Sequence, residues 1–390
     1  MKPSPFKLER FFAKYEFKAP YLLCSSDPES FSIEELLSYE PGSIEGFKKQ
    51  YLGYTETQGG PELRHEITKL YEKINPENVL VHSGAEEGIF IFMNVALEKG
   101  DHVIVQFPIY QSLYEIAKTI GCEITKWTVN ENENWELDLD FLKQNIKKNT
   151  KAIIINIPHN PTGYLMNKSK LEALVKIAKE HNLYIFSDEV YRFLEYKKEE
   201  RLPAICDLYE NGISIGGMSK AFALPGLRIC WTCTKNEKVL GDMAAFKDYT
   251  TICTSAPSEY LSIIALKNKE KILKRNLEII AGNLKILNAF FERYKNLFKV
   301  NEPKAGTMAF PKINLDVDIE KFCTDLVEKK GVFLLPSTKY DFGNKNFRIG
   351  FGRKNMPECL TKLEEYCKIY LECVKSKNEL KTKGIENAYK

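Results

Sequence analysis

Between residues 79 and 215 apolar runs alternate with amphipathic stretches. Val79-Leu80-Val81-His82 and Val103-Ile104-Val105-Gln106-Phe107 predict strands, followed by helices from about Ala85 and about Tyr110. Ala152 to Ile157 is a continuous apolar run, as expected of a strand buried on both faces. A helix over 168–180 gathers Leu171, Leu174, Ile177 and Ala178 on one side. Leu183-Tyr184-Ile185-Phe186, Ile213-Ser214-Ile215 and Leu227 to Cys233 read as further strands. This alternation predicts an α/β fold, a mostly parallel central sheet with helices on both faces. Such sheets bind ligands at the carboxyl ends of their strands.

After about residue 270 the pattern changes. A long helix is expected over 270–297, then short strands near 308–312, 332–335 and 346–351, with a helix carrying Ile319, Phe322 and Leu326 between them. A last helix carries Leu360, Leu363, Cys367 and Leu371. The chain thus divides into a large domain over 46–275 and a smaller α+β domain over 276–375. An N-terminal segment, 1–45, is expected to pack on the small domain, and a polar tail, 376–390, to fray.

Composition removes several classes of function. With 44% hydrophobic and 28% charged residues the chain is an ordinary globular one. A net charge of +3, spread along the sequence, gives no argument for nucleic acid. No apolar run reaches membrane length, and the N-terminus has no apolar signal core, so a cytoplasmic chain without a membrane partner is expected. Ten dispersed cysteines form no disulfide framework, and the C-x-x-C at Cys230–Cys233 lies in a predicted strand, where residues three apart face opposite ways. The five histidines lack metal-ligand spacing, so no metal is expected.

The chemistry stands at the strand ends. Asn160-Pro161-Thr162-Gly163 follows one strand, Asp188-Glu189-Val190-Tyr191 the next, and Ser219-Lys220 with Arg228 the one after. Singly these read as a turn, a helix cap and a solvated lysine. In this order they bring an amide, an acid, a phenol, an amine and a guanidinium to one sheet edge. The combination, from about Tyr54 to Phe351, resembles the class I/II aminotransferases, pyridoxal 5'-phosphate enzymes of fold type I.

The resemblance implies roles. Lys220 becomes the catalytic amine, condensed with the cofactor's aldehyde as a Schiff base and later moving the substrate proton. Asp188 faces the ring nitrogen; Asn160 and Tyr191 tune the phenolic oxygen; Arg228 and Ser219 hold the phosphate. Gly217 stands where the family often has another hydroxyl, leaving one phosphate hydrogen bond in question. The backbone of Gly84 and Ala85, at a helix start, also faces the phosphate. Tyr110 stacks on the ring, and Tyr54 reaches the phosphate of a neighbouring subunit, implying a homodimer with shared sites. Arg348, helped by Asn160, holds the substrate α-carboxylate, with Arg353 and Lys354 left to structural pairing.

Other positions depart from the family's roles or lie outside them. Ser83 and Glu86 have capping-box spacing, which makes Glu86 a helix cap. Glu16 and Asp27 would suit a basic substrate side chain but are read as solvated acids. Residues 21–28 lack the glycines usual in the family's closing segment. The function expected is transfer of an amino group between an amino acid and a 2-oxo acid. The alternatives are a lyase, replacement or cyclisation enzyme of the capreomycidine synthase type, and a non-catalytic cofactor-binding protein.

Overall fold

The apolar runs assemble into one seven-stranded sheet in a computed structural model that describes residues 2–370. Its strands, numbered in chain order, are β1 Val79–His82, β2 His102–Phe107, β3 Glu123–Thr128, β4 Thr150–Asn156, β5 Tyr184–Asp188, β6 Gly212–Gly217 and β7 Cys230–Cys233. Their spatial order is β1-β7-β6-β5-β4-β2-β3. All pairs among β2 to β6 are parallel, and β7 is antiparallel to both of its neighbours.

Side chains alternate across a strand. In β4, Ala152 and Ile154 join one core with Ile89 and Phe92 of the helix Ala85–Ala96, while Ile153 and Ile155 join another with Leu171 and Leu174 of the helix Lys168–Glu180. Both faces are covered, which is why the strand reads as an unbroken apolar run. The edge strand β3 buries only Trp127 and carries no such signal.

The strand directions collect the chemistry at one edge. Parallel β4, β5 and β6 all end there, with Asn156 opposite Asp188 and Asp188 opposite Ile215. Because β7 runs the other way, its first residue, Cys230, lies beside Gly217 at the end of β6. β1 opposes β7, so its last residue, His82, lies beside Cys230 too. The strand expected from Leu227 starts only at Cys230. Leu227 closes a 3₁₀ turn, and Arg228 takes a left-handed conformation (φ +53°) that no strand accommodates.

The remaining elements form a second group. The helix Lys269–Arg293 contains residue 275, so the expected domain boundary falls inside it. Met308–Ala309, Phe347–Gly350 and Leu335–Pro336 make a small antiparallel sheet in that spatial order. The expected strand 308–312 is split, because Pro311 offers no backbone N–H to continue it and Lys312–Ile313 pairs with Phe298–Lys299 instead. Likewise the expected strand 332–335 is split: Val332–Phe333 pairs in parallel with Tyr21–Leu22, whereas Leu335–Pro336 pairs with Phe347–Gly350. The N-terminal helix, Lys7–Tyr15, surrounds Phe333 with Phe11, Phe12 and Tyr15 at ring-centroid distances of 5.1–5.6 Å. A last helix runs over 356–370; Leu371 and the tail 376–390 lie outside the described residues. Among the described residues nine cysteines are free, no cluster suits a metal ion, and no helix is long and apolar enough to cross a membrane.

Candidate active site

At the collecting edge lies a cavity of about 340 Å³. Ala85, Tyr110, Asn160, Asp188, Tyr191, Ser219, Lys220, Arg228 and Arg348 all line it. It sits where three stretches of chain meet: residues 8–27, residues 85–230 and residues 348–353.

Asp188 is the last residue of β5 and is buried. Its Oδ1 accepts from the Val190 N–H at 3.2 Å, and no cation hydrogen-bonds it among the described residues. Burial pushes its carboxyl up to about 7; the Val190 amide and the charge of Lys220 oppose that shift. Lys220 follows β6 and donates to Ser26 Oγ at 3.0 Å. Burial pulls its ammonium below the usual lysine range, against the charge of Asp27 and with that of Arg348. An amine so placed is more readily uncharged and nucleophilic.

Asn160 hangs on the turn after β4. Its backbone N–H donates to Asn156 Oδ1 at 2.7 Å. His159, fully enclosed, donates from Nε2 to the Pro108 carbonyl at 2.6 Å and accepts at Nδ1 from Thr162 Oγ1 at 2.7 Å. Burial lowers that imidazole to about 4, so it stays neutral and fixes the turn at ordinary pH. Asn160 Oδ1 then accepts from Tyr340 Oη at 2.9 Å and from Arg348 Nη1 at 3.2 Å. Arg348 also donates to the Tyr340 hydroxyl and the Cys24 carbonyl at 2.7 and 3.0 Å. It is 2% exposed, yet every one of these acceptors is neutral. A buried cation without a counter-ion favours an anionic ligand.

Tyr191 is equally buried, and its Oη has no hydrogen-bond partner among the described residues. At the next strand end Gly84 has φ +92°, and a Cβ there would stand 2.3 Å from Arg228 Nη2. The positive φ favours glycine, and a side chain there would also push the Arg228 guanidinium out of its place. The left-handed turn at Arg228 thus lays its guanidinium against the start of the helix Ala85–Ala96, where backbone N–H groups favour an anion.

Several expectations are corrected. Glu86 does not cap the helix: Glu87 Oε2 accepts the Ser83 N–H at 2.6 Å, while Glu86 lines the cavity and accepts from Ser112 Oγ at 3.1 Å. The helix starts after Gly84, which moves the capping acid one residue on. The cavity wall around its carboxyl raises Glu86 above the usual range, against the Ser112 hydroxyl. Asp27 is not solvated; it is buried and pairs with Arg353 Nη2 at 2.7 Å, and Glu16 is half-buried on the cavity. Tyr54 is 92% exposed and away from the cavity of its own chain. Sequence reading missed Ser26, Tyr340 and Glu9, whose carboxylate accepts from Tyr110 Oη at 2.6 Å. For Tyr340 no local motif exists; Glu9 shares a helical face with Phe12 and Glu16, a spacing visible in the sequence.

A raised carboxyl binds its proton more tightly in the folded than in the unfolded chain. Stability from Asp188 is therefore complete below pH 3.8 and lost as pH rises towards about 7. Melting of the ligand-free protein is expected to lose about 2–4 kcal/mol of stability across this window relative to Asp188→Asn. Parallel melting curves for the two proteins would contradict it.

A family model described as "Aminotransferase class I and II" matches residues 21–363. An aspartate aminotransferase of Pyrococcus horikoshii is 31% identical over 325 residues, 80% of this chain and 82% of that protein. A PLP-dependent aminotransferase structure from Streptococcus suis superposes with a TM-score of 0.89 at 33% identity, covering 94% of this chain and 98% of that one. The PLP-dependent cyclase OrfR gives 0.87 at 25% identity, covering 95% and 98%. With its motifs on one sheet edge and a family match that spans most of its length, the chain belongs to the class I and II aminotransferases.

Proposed function

We propose that this chain transfers an amino group between an amino acid and a 2-oxo acid with pyridoxal 5'-phosphate as cofactor. The convergence of Lys220, Asp188, Tyr191, Arg228 and Arg348 on one cavity carries the reading. The residues fit the group. The unpartnered Tyr191 hydroxyl and Asn160 suit its phenolic oxygen. The Gly84–Ala85 backbone, Arg228 and Ser219 suit a phosphate, since a side chain at Gly84 would fill that cradle. Asp188, buried with no cation hydrogen-bonded to it among the described residues, suits a protonated ring nitrogen, and Lys220 is the amine for the aldehyde. Tyr110 lines the same space and suits the ring face.

When bound, the cofactor supplies an electron sink for the bond broken at the substrate α-carbon. Asp188 keeps the ring nitrogen's proton in place and so favours that sink. Arg348, its fork fixed by Tyr340 and Cys24, orients the substrate through its α-carboxylate. The Lys220 Nζ then takes the α-proton. The N-terminal helix and residues 25–27 cover the cavity and restrict water.

The proposal includes a homodimer. Tyr51, Leu52, Tyr54, Tyr249 and Ile252 are exposed large apolar residues, a surface suited to a second copy that would receive Tyr54. It also includes the division 1–45, 46–275 and 276–375 and a cytoplasmic location, which free thiols suit.

Adding an amino donor to the holoprotein should change the cofactor's visible absorbance, and a 2-oxo acid should reverse the change. Silence with every donor contradicts the proposal. Likeness to the cyclase OrfR favours one second reading, a cyclisation or elimination on the same site. Ammonia or a cyclised product formed without any 2-oxo acid would select it.

A further inference from the structure

The N-terminal helix distributes its charges unevenly. Arg10 and Lys14 lie on exposed positions. Glu9, Phe12 and Glu16 line the cavity, with both acids half-buried. Spacings of three and four place these three residues on one face, about 10 Å from first to last along the axis. A helix whose acids served only solubility would turn them to solvent.

Among the described residues neither acid forms a salt bridge, although the Lys220 ammonium lies within reach of their charge. Glu9 accepts from the Tyr110 hydroxyl, a neutral group. Glu16 makes no salt bridge or side-chain hydrogen bond among the described residues, and beside it Asp27 already holds Arg353. Burial raises the Glu16 carboxyl above its usual range, and the charges of Glu9 and Asp27 raise it further, outweighing those of Arg353 and Lys220, which oppose the shift. The acids therefore repel one another across a shared space.

Two observations independent of the acids mark that space as a ligand site. The Tyr191 hydroxyl, in a side chain 2% exposed, lines it without a partner. Arg348, 2% exposed, lines it with neutral partners only. On the reading proposed above, on which this inference rests, Arg348 takes the α-carboxylate. The substrate side chain then extends over Phe12, whose ring lies 5.6 Å from the Arg348 guanidinium carbon, into the space flanked by the acids.

We infer that the substrate is an amino acid with a positively charged side chain, an amine or a guanidine, received by Glu9 of the N-terminal helix and Glu16 at that helix's C-terminal cap. A cation there relieves their repulsion and supplies the missing counter-charge. A second carboxylate, as on aspartate, would instead meet like charge. Glu9 also fixes the Tyr110 hydroxyl, so binding of the side chain and placement of that ring are coupled.

The test compares cationic amino acids with neutral ones of matched shape: arginine with citrulline, lysine with norleucine. Absorbance change in the wild-type holoprotein gives the half-reaction kcat/KM. Calorimetry on the cofactor-loaded Lys220→Ala protein gives Kd without turnover. In at least one pair the cationic member should be favoured by about tenfold or more in both measurements, as expected for charge-assisted pairing. Glu9→Gln and Glu16→Gln should shrink that ratio; where a variant fails to fold, the wild-type ratios decide alone. Equal treatment of both members in both pairs, or ratios unchanged by the two substitutions, overturns the inference. If aspartate and norleucine react well while arginine and lysine do not, the inference fails and the aminotransferase reading stands. If no donor changes the absorbance, that reading fails, and the calorimetric ratio still decides the inference.

Discussion

Lys220→Ala is expected to lower turnover by about 10⁴-fold or more, because on the proposed function this one amine serves both as covalent anchor and as proton carrier. The fold should survive. Lys220 has one side-chain hydrogen bond among the described residues, to Ser26, and no salt bridge. Its removal breaks one hydrogen bond to a neutral hydroxyl and no salt bridge, and it also removes a buried ammonium that is costly to desolvate, so stability should change by no more than about 1 kcal/mol. The cofactor should still be retained, less tightly, through Arg228, the Gly84–Ala85 backbone and Asp188. Lys220→Arg should not rescue, since a guanidinium does not lose its proton. Turnover assays beside melting curves check this. A folded variant that keeps a tenth of wild-type turnover would remove Lys220 from the chemistry.

Arg348→Ala should cost about 10²–10³-fold in kcat/KM, the loss expected when a two-pronged, charge-assisted grip on a carboxylate is removed from a buried site. Most of the loss should fall on KM. Two effects oppose each other in stability. Tyr340, Asn160 and the Cys24 carbonyl lose a donor, while an uncompensated buried cation disappears. Arg348→Lys keeps the charge without the fork and should recover only part of the activity. The discriminating readout is preference for an amino acid over the corresponding amine without its carboxylate. Wild-type protein should discriminate strongly, and Arg348→Ala should not. A variant that kept the discrimination would place the carboxylate elsewhere.

Much of this site was legible because it depends on strand ends. β4, β5 and β6 each carry a short apolar run, Ala152–Ile155, Tyr184–Phe186 and Ile213–Ile215, and polar or glycine residues follow directly, so the sequence itself marks where the site residues emerge. β3 was silent because an edge strand with one buried residue has no apolar pattern to detect. Glu86 was misread because capping spacing does not reveal that a left-handed glycine shifts the helix start by one residue. Asp27 and Glu16 looked solvated because their burial comes from tertiary contact. Phe333, more than three hundred residues away, holds the helix that carries Glu16. Tyr340 escaped for the same reason: its hydroxyl meets Asn160 across 180 residues, and no local rule connects them.

The central claim is a covalent bond from one lysine to the cofactor, and it can be read directly. The holoprotein should be reduced with borohydride, digested, and its peptides mapped by mass. The account predicts a phosphopyridoxyl label on Lys220 and its absence from the Lys220→Ala protein. A label on another lysine, or no label on a protein that holds the cofactor and turns over, would contradict it.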